Sequence, residues 1–357
     1  MARVNLLCWN IEVYGPKKYA GTPNTMLVTR FVTRTIMEAQ ANLVVLIELS
    51  GSVAGQICKS LAEDLYVLSG DNKLRWRYAT IPAMAGGGGE HYGYLWRQSG
   101  TGFGEINVGR DQIYLQLSEQ GFPNNLGQLF GRRAAMMGFR ATDTGNTFTV
   151  SVYHAPPPNS WGQTYARAGV EALAKSNDLY HLSLGGDMGI VAGRMLAGDY
   201  NLNVNDGPSF TWLTDPARPN NQPPAQAGQG AGTRPITTKR THLLSLQQVE
   251  GRWGQSIEGW GTDPGDYKEL PIDNVFYRGA NPAGDVIDLM QHVMIPGTSQ
   301  RGLAEQFKLW NLMNPAFPNA NLLRTPLSET LSDARCAWLF LRHAISDHYP
   351  VHAAIDI

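Results

Sequence analysis

The chain has 357 residues, a formal net charge of -1 and three cysteines. That length can bury a large core, and the near-neutral balance excludes a globally basic nucleic-acid binder. Cys8, Cys58 and Cys336 form neither a disulfide framework nor a zinc-ligand spacing. In chain order, Val4–Asn10 predicts a buried strand ending in a polar residue. Thr25–Gln40 has apolar residues at roughly helical spacing after Thr22-Pro23-Asn24, a start signal. Leu43–Leu49 is a continuous apolar run broken only by Glu48, and Val53–Leu65 predicts a second helix. Five small residues, Ala85 to Gly89, precede Glu90; without a Lys-Ser/Thr pair or a following helix pattern they predict a loop, not a phosphate cradle. Tyr92–Trp96, Ala134–Phe139 and Thr147–His154 are rich in strand formers, Tyr165–Ala174 predicts a helix and Met195–Tyr200 a strand.

Residues 214–240 are rich in Pro, Gly and Gln, and residues 296–335 are helical only around Leu303–Met313. Both are expected to be insertions in one domain spanning 1–357, because the chemistry-bearing segments lie on either side of them. No apolar run approaches the roughly 20 residues of a membrane span. Met1-Ala2-Arg3-Val4-Asn5 has no basic-then-apolar leader. The expectation is cytoplasmic synthesis in a reduced compartment, with a signal-independent export route left open.

The ending Ser346-Asp347-His348-Tyr349-Pro350-Val351 is the most informative segment. A carboxylate beside an imidazole can hold a hard metal ion and move a proton. Glu48 closes an apolar strand, where an unpaired carboxylate is costly to bury; an exposed strand end and a metal ligand explain it equally well. In Gly198-Asp199-Tyr200-Asn201 the glycine lets a strand end turn, the aspartate can aim water or bind metal, and the amide can hold an oxygen. Gly186-Asp187 lacks that setting and reads as ordinary turn chemistry. His154 ends a strand before Ala155-Pro156-Pro157-Pro158, where a lone histidine is more often structural than catalytic.

These segments share an order with Cys8-Trp9-Asn10-Ile11-Glu12, Glu90-His91-Tyr92 and Pro271-Ile272-Asp273-Asn274-Val275. That order resembles the endonuclease/exonuclease/phosphatase superfamily, the deoxyribonuclease I-like metal-dependent phosphodiesterases, over nearly the whole chain. Glu90 to Arg97, Phe130-Gly131-Arg132-Arg133 and His154-Ala155-Pro156 are similar to its deoxyribonuclease I branch, and the ending to the B subunits of cytolethal distending toxins. The resemblance implies an α/β fold, a four-layer α/β/β/α sandwich of two mixed sheets. It implies Mg²⁺ or Mn²⁺ held by Glu48, Asp347 and Asn10. His154 with Glu90, and His348 with Asp273, would supply acid and base around Asp199. Asn201, Arg132 and Tyr92 would meet phosphate or substrate.

The function so implied is a DNA endonuclease acting as a monomer, with an inhibitor or immunity protein as partner if it serves as a toxin. The alternative is a phosphatase or phospholipase C-type enzyme on the same scaffold. Glu12 and Ser50 stand where the deoxyribonuclease I branch has arginines, which favours the alternative. Arg218, Arg234, Lys239 and Arg240 in the Pro/Gly-rich insertion are candidates to replace that grip on a phosphate backbone.

Overall fold

The first strand, β1 (Arg3–Tyr14), is buried on both faces. Leu6 and Cys8 point into one apolar layer, Leu7 and Trp9 into another. A strand of that kind belongs in the middle of a sandwich. The computed structural model describes residues 1–19, 23–70, 75–83, 89–98, 103–106, 132–158, 163–175, 191–205, 210, 234–295, 297–313 and 333–357. Residues 85–88 of the glycine-rich loop, Gly186-Asp187, Arg218 and residues 214–233 of the first expected insertion lie outside them.

Two mixed six-stranded sheets form the centre. The first joins β1 to β2 (Leu43–Ser50), β3 (Trp76–Pro82), β4 (Glu90–Arg97), β11 (Ala280–Val286) and β12 (Val351–Asp356), in the order β11-β12-β1-β2-β4-β3. The second joins β5 (Phe103–Ile106), β6 (Ala135–Ala141), β7 (Thr147–His154), β8 (Val191–Asp199), β9 (Arg234–Pro235) and β10 (Asp273–Arg278), in the order β5-β6-β7-β8-β10-β9. Each sheet has one parallel pair at its centre, β1 with β2 and β7 with β8; the other pairings are antiparallel.

The layer between the sheets is filled by Cys8, Val45, Ile47, Tyr94, Phe139, Val150, Ala197 and Ile355, among others. Cys8 is buried there as a free thiol, and burial pushes its pKa up. A short helix α1 (Pro16–Tyr19) follows β1. Helices α2 (Pro23–Glu38), α3 (Ala54–Ser69) and α8 (Ala334–Phe340) cover the other face of the first sheet, with Phe31, Ile57, Leu61 and Trp338 buried against Trp9 and Leu46. Helix α6 (Leu289–Met294) adds Leu289, Met290 and Val293 to the same layer. Helix α4 (Thr164–Lys175) covers the second sheet through Ala166, Val170 and Leu173, beside Tyr153, Leu196 and Phe276. This is the expected four-layer α/β sandwich. The predicted helix at 53–65 runs on to Ser69, where Gly70 at φ 65° caps it with its N–H on the Val67 carbonyl. The helix predicted around Leu303–Met313 is α7 (Ser299–Met313). Among the described residues no helix is long and apolar enough to cross a membrane.

Candidate active site

The parallel pairs of the two sheets end at one rim. Asn10 lies on β1 and Glu48 on β2; His154 and Asp199 are the last residues of β7 and β8. Asp273 opens β10 directly opposite Asp199 in the ladder, and His348 lies in the loop entering β12. Gly198 permits the close approach of β8 to β7, since a Cβ there would stand 2.4 Å from the Tyr153 carbonyl oxygen.

Glu48 reaches the rim by a break in strand alternation. The β1–β2 register shifts between Asn10 and Tyr14, and the β2–β4 register between Leu46 and Leu49. Glu12, Val13 and Glu48 have left-handed φ values of 44°, 47° and 66°. A bulge re-aims side chains, and such backbone costs free energy that the surroundings must offset. The surroundings are specific. The Asn10 side-chain oxygen accepts from the Glu12 N–H at 3.0 Å, and the Glu48 carboxylate accepts from the Val13 N–H at 3.1 Å. Lys18 Nζ donates to the carbonyls of Ile11 (3.1 Å), Ile345 (2.9 Å) and Glu12, pinning the bulge to the turn Leu341–Ile345. Burial lowers the Lys18 pKa, against the raising effect of Glu12, Asp347 and Glu48.

Asn10 Nδ2 donates to Glu48 Oε1 (3.1 Å) and to Asp199 Oδ2 (2.9 Å), so one amide ties the two sheets together. His154 Nε2 lies 3.5 Å from both Glu48 Oε1 and Asp199 Oδ2, and its Nδ1 is 2.6 Å from Glu90 Oε1. Arg132 Nη1 donates to that Nε2 at 2.9 Å, so the proton sits on Nδ1 and is donated to Glu90. His348 Nδ1 donates to Asp273 Oδ2 at 2.8 Å, and its Nε2 faces Asp347 Oδ1 (3.5 Å) and Asp199 Oδ2 (3.7 Å). Each histidine–carboxylate pair spans the sheets. Glu90 belongs to the first sheet and His154 to the second, whereas Asp273 belongs to the second and His348 to the loop leading into β12 of the first.

The charges are interlocked. Burial raises the Asp199 pKa, but His348, His154 and the hydrogen bonds from Asn201 and Asn10 outweigh it and hold the carboxyl below its ordinary value. Burial and neighbouring Asp199 push Asp273 upward despite His348. Burial disfavours a charged His348, yet Asp273, Asp347 and Asp199 raise its pKa well above the usual imidazole value. Glu90 is held low by His154 and Arg132 against its burial.

The remaining candidates divide. Asn201, at φ 48°, donates its backbone N–H to Asp199 Oδ1 (2.9 Å) and its amide to the Ala155 carbonyl (2.8 Å). Arg132 is at the rim but holds Glu90 (3.1 Å) and His154 rather than standing free. Tyr92 needs correction as a substrate contact. Its side chain is fully buried, and its hydroxyl accepts from the His154 N–H (3.1 Å) while donating to the Arg133 carbonyl (2.8 Å). Glu48 and Asp347 fall in different close clusters. Glu48 joins His154 and Asp199, while Asp347 joins His242 and His348, each set having its ligand atoms within 4.8 Å of one another.

Sequence reasoning missed two residues. Arg342 reaches Asp347 Oδ2 (2.9 Å) and Glu12 Oε1 (2.7 Å), bringing a guanidinium beside a position that lacks one in sequence. His242 places Nε2 3.4 Å from Asp347 Oδ2, with its ring edge-on to His348 at 4.8 Å. No local motif flags either; Arg342 arrives on the turn Leu341–Ile345, and His242 by the docking of the 241–243 loop, through Thr241 and Leu243 against Tyr349 and Asp347. His91 packs over Gly51, where a Cβ would lie 2.5 Å from its ring, so its place is structural. Lys239 of the basic cluster pairs with Asp285, and Arg240 donates to the Lys268 carbonyl (3.1 Å).

No family sequence model and no curated relative matches the chain. Solved structures do. An endonuclease/exonuclease/phosphatase family protein from Bacteroides thetaiotaomicron superposes with a TM-score of 0.51 at 11% identity, covering 99% of this chain and 98% of that one. A mannosyl-6-phosphatase from Bacteroides thetaiotaomicron VPI-5482 gives 0.52 at 11% identity, over 99% and 100%. The fold is that of the endonuclease/exonuclease/phosphatase family. In this fold the rim at the ends of the two central parallel pairs is where Asn10, Glu48, His154 and Asp199 converge.

Proposed function

We propose that the protein is a divalent-metal-dependent phosphoester hydrolase, with DNA as its substrate. The observation that carries this reading is the pair of histidine–carboxylate couples facing one buried aspartate, with Asn10 and Glu48 beside them. The donor set fits a hard cation. Its members offer carboxylate and amide oxygens without a thiolate, and Asp347 Oδ1 is buried with no hydrogen-bond partner among the described residues. Glu48, Asn10 and Asp347 would hold the ion, which when bound neutralises phosphate charge and stabilises the leaving oxygen.

The protein's own groups do the rest. Asp199, ionised and within reach of both imidazoles, orients the attacking water. His348, kept charged by Asp273 on Nδ1, presents Nε2–H to the leaving oxygen or to a phosphate oxygen. His154, its Nδ1–H fixed on Glu90, turns Nε2 toward Glu48 and Asp199, and accepts a proton there once Arg132 is drawn off that nitrogen onto the phosphate. Arg342 offers a charge close to Asp347 where phosphate would sit.

A second reading, a phosphatase for small phosphate esters, is favoured by the net charge of -1, by Glu12 and Ser50 at the two arginine positions, and by likeness to a mannosyl-6-phosphatase. A toxin role rests only on the likeness of the chain's ending to toxin subunits. Incubation with plasmid DNA, RNA, sugar phosphates, phosphoinositides and sphingomyelin in Mg²⁺ tests the proposal. Nicking of plasmid that stops on chelation is expected. Turnover of sugar phosphates with plasmid untouched would replace DNA with the second reading. Full activity in excess chelator, with no metal in the protein by elemental analysis, would overturn metal dependence.

A further inference from the structure

His242, Asp347 and His348 form a cluster that the hydrolytic scheme does not need as a unit. His242 Nδ1 is 2.9 Å from Glu269 Oε2, and His348 Nδ1 is 2.8 Å from Asp273 Oδ2. A carboxylate on Nδ1 occupies that nitrogen, so Nε2 is the one an ion can take, displacing its proton as it binds. Both Nε2 atoms then face Asp347, at 3.4 Å and 3.5 Å, one toward each oxygen. Arg342 stands on Oδ2, while Oδ1 is buried without a hydrogen-bond partner among the described residues. All three ligand atoms lie within 4.8 Å of one another.

Two imidazoles and one carboxylate, with a carboxylate behind each imidazole, make a donor set for a borderline ion such as Zn²⁺ rather than for Mg²⁺. Of the hard-ion candidates, Glu48 and Asn10 are outside this cluster, and Asp347 is the ligand the two sets share. Glu269 has a further anchor in Gln248, and His242 is tied into the loop by its backbone bridge to His348, so the second imidazole is built in rather than swinging free.

We propose that His242, Asp347 and His348 form a zinc-class binding site, and that its occupation switches the hydrolase off. The inhibitory half rests on the reading of His348 as a proton-transfer group. An ion on Nε2 removes the nitrogen that would face the leaving oxygen, and it engages Asp347 at the same time. Mg²⁺ competes for Asp347 alone and the two imidazoles favour Zn²⁺, so excess Mg²⁺ should relieve the inhibition poorly.

The test titrates the full chain with Co²⁺, whose visible absorption reports imidazole and carboxylate coordination, and then displaces it with Zn²⁺ in the presence of excess Mg²⁺. One Co²⁺ per chain, bleached by one Zn²⁺, is expected. His242→Asn should weaken Zn²⁺ binding at least about tenfold, and Glu269→Gln by about tenfold as an outer partner. If His242→Asn fails to fold by circular dichroism, Glu269→Gln decides. Hydrolysis, where present, should fall with the same Zn²⁺ midpoint as the bleaching. Unchanged Zn²⁺ affinity in the folded variants, or no stoichiometric binding to the natural chain, would overturn the site. Zinc binding that depends on His242 in a chain that hydrolyses nothing would keep the site and remove the hydrolase reading.

Discussion

Acidification should loosen the turn that carries Arg342 toward the rim, through its neighbour His343. That residue lies in the wide turn Leu341–Ile345, its ring edge-on to Trp338 at 6.0 Å. Its Nε2 is buried with no hydrogen-bond partner among the described residues. Burial, and then the charge of Arg342, push its pKa down from 6.5 to about 4. In the unfolded chain the imidazole titrates near its ordinary value. From about pH 6.5 down to about 4, therefore, the unfolded state holds a proton that the native state refuses. The contribution to stability is complete above the unfolded pKa, falls by about 1.4 kcal/mol per pH unit on acidification, and levels off below the folded pKa; the whole loss is roughly 3 kcal/mol. His343→Phe keeps a ring against Trp338 and removes the titration. Urea unfolding of both proteins from about pH 8 to 4 isolates the effect, because the carboxylates titrate alike in each. The stability difference between variant and natural chain should grow in the variant's favour below about pH 6.5. A difference that stays constant with pH would refute the reasoning.

Four further outcomes follow from the site. His154→Ala and His348→Ala should each lower turnover by about two to four orders of magnitude with the fold retained, read from kcat and circular dichroism. Asp273→Asn should lower the His348 pKa, because a buried negative charge at 2.8 Å favours imidazolium; NMR titration of the imidazole is the measurement, and an unchanged midpoint would dissolve the pair. Glu48→Gln should abolish metal-supported hydrolysis with little change in thermal unfolding, since the amide oxygen can still accept from the Val13 N–H; activity and unfolding are read side by side. Excess chelator should stop hydrolysis and restoration of Mg²⁺ or Mn²⁺ should return it.

What the sequence disclosed follows from burial. Leu43–Leu49, Thr147–His154 and Met195–Tyr200 are legible as strands because they are central, packed on both faces and rich in apolar residues. The edge strands were not. Trp76–Pro82 is largely half-buried or exposed, and Ala280–Val286 is mostly exposed and contains Asn281, Pro282 and Gly284; only pairing with β4 and β12 makes them strands. Helix α5 (Leu246–Trp253) did carry a signal, the capping box of Ser245 and Gln248, but it is short and interrupted by Gly251. Among the candidates at strand ends, Glu48 stands out because it interrupts an apolar run, whereas the roles of Asn10, Glu90, His154 and Asp273 came with the resemblance in motif order. Arg342 and His242 could not be found, since their place depends on a wide turn and a loop–loop bridge between distant segments. Tyr92 misled because the resemblance of its segment implied a substrate contact, whereas both sides of its hydroxyl are spent on backbone groups.

The crossed arrangement of the two histidine couples makes the rim a detector of assembly. Neither half of the sandwich contains a complete couple, and the amide of Asn10 is a direct strut between Glu48 and Asp199. A slip of the halves by the length of one hydrogen bond would detach both imidazoles from their carboxylates at once while leaving every ladder within each half intact. The chemistry is therefore tied to the least local interface in the molecule. A partly loosened state could keep its secondary structure in full and have no working proton relay. During folding, competence would arrive as the final event, when the halves lock.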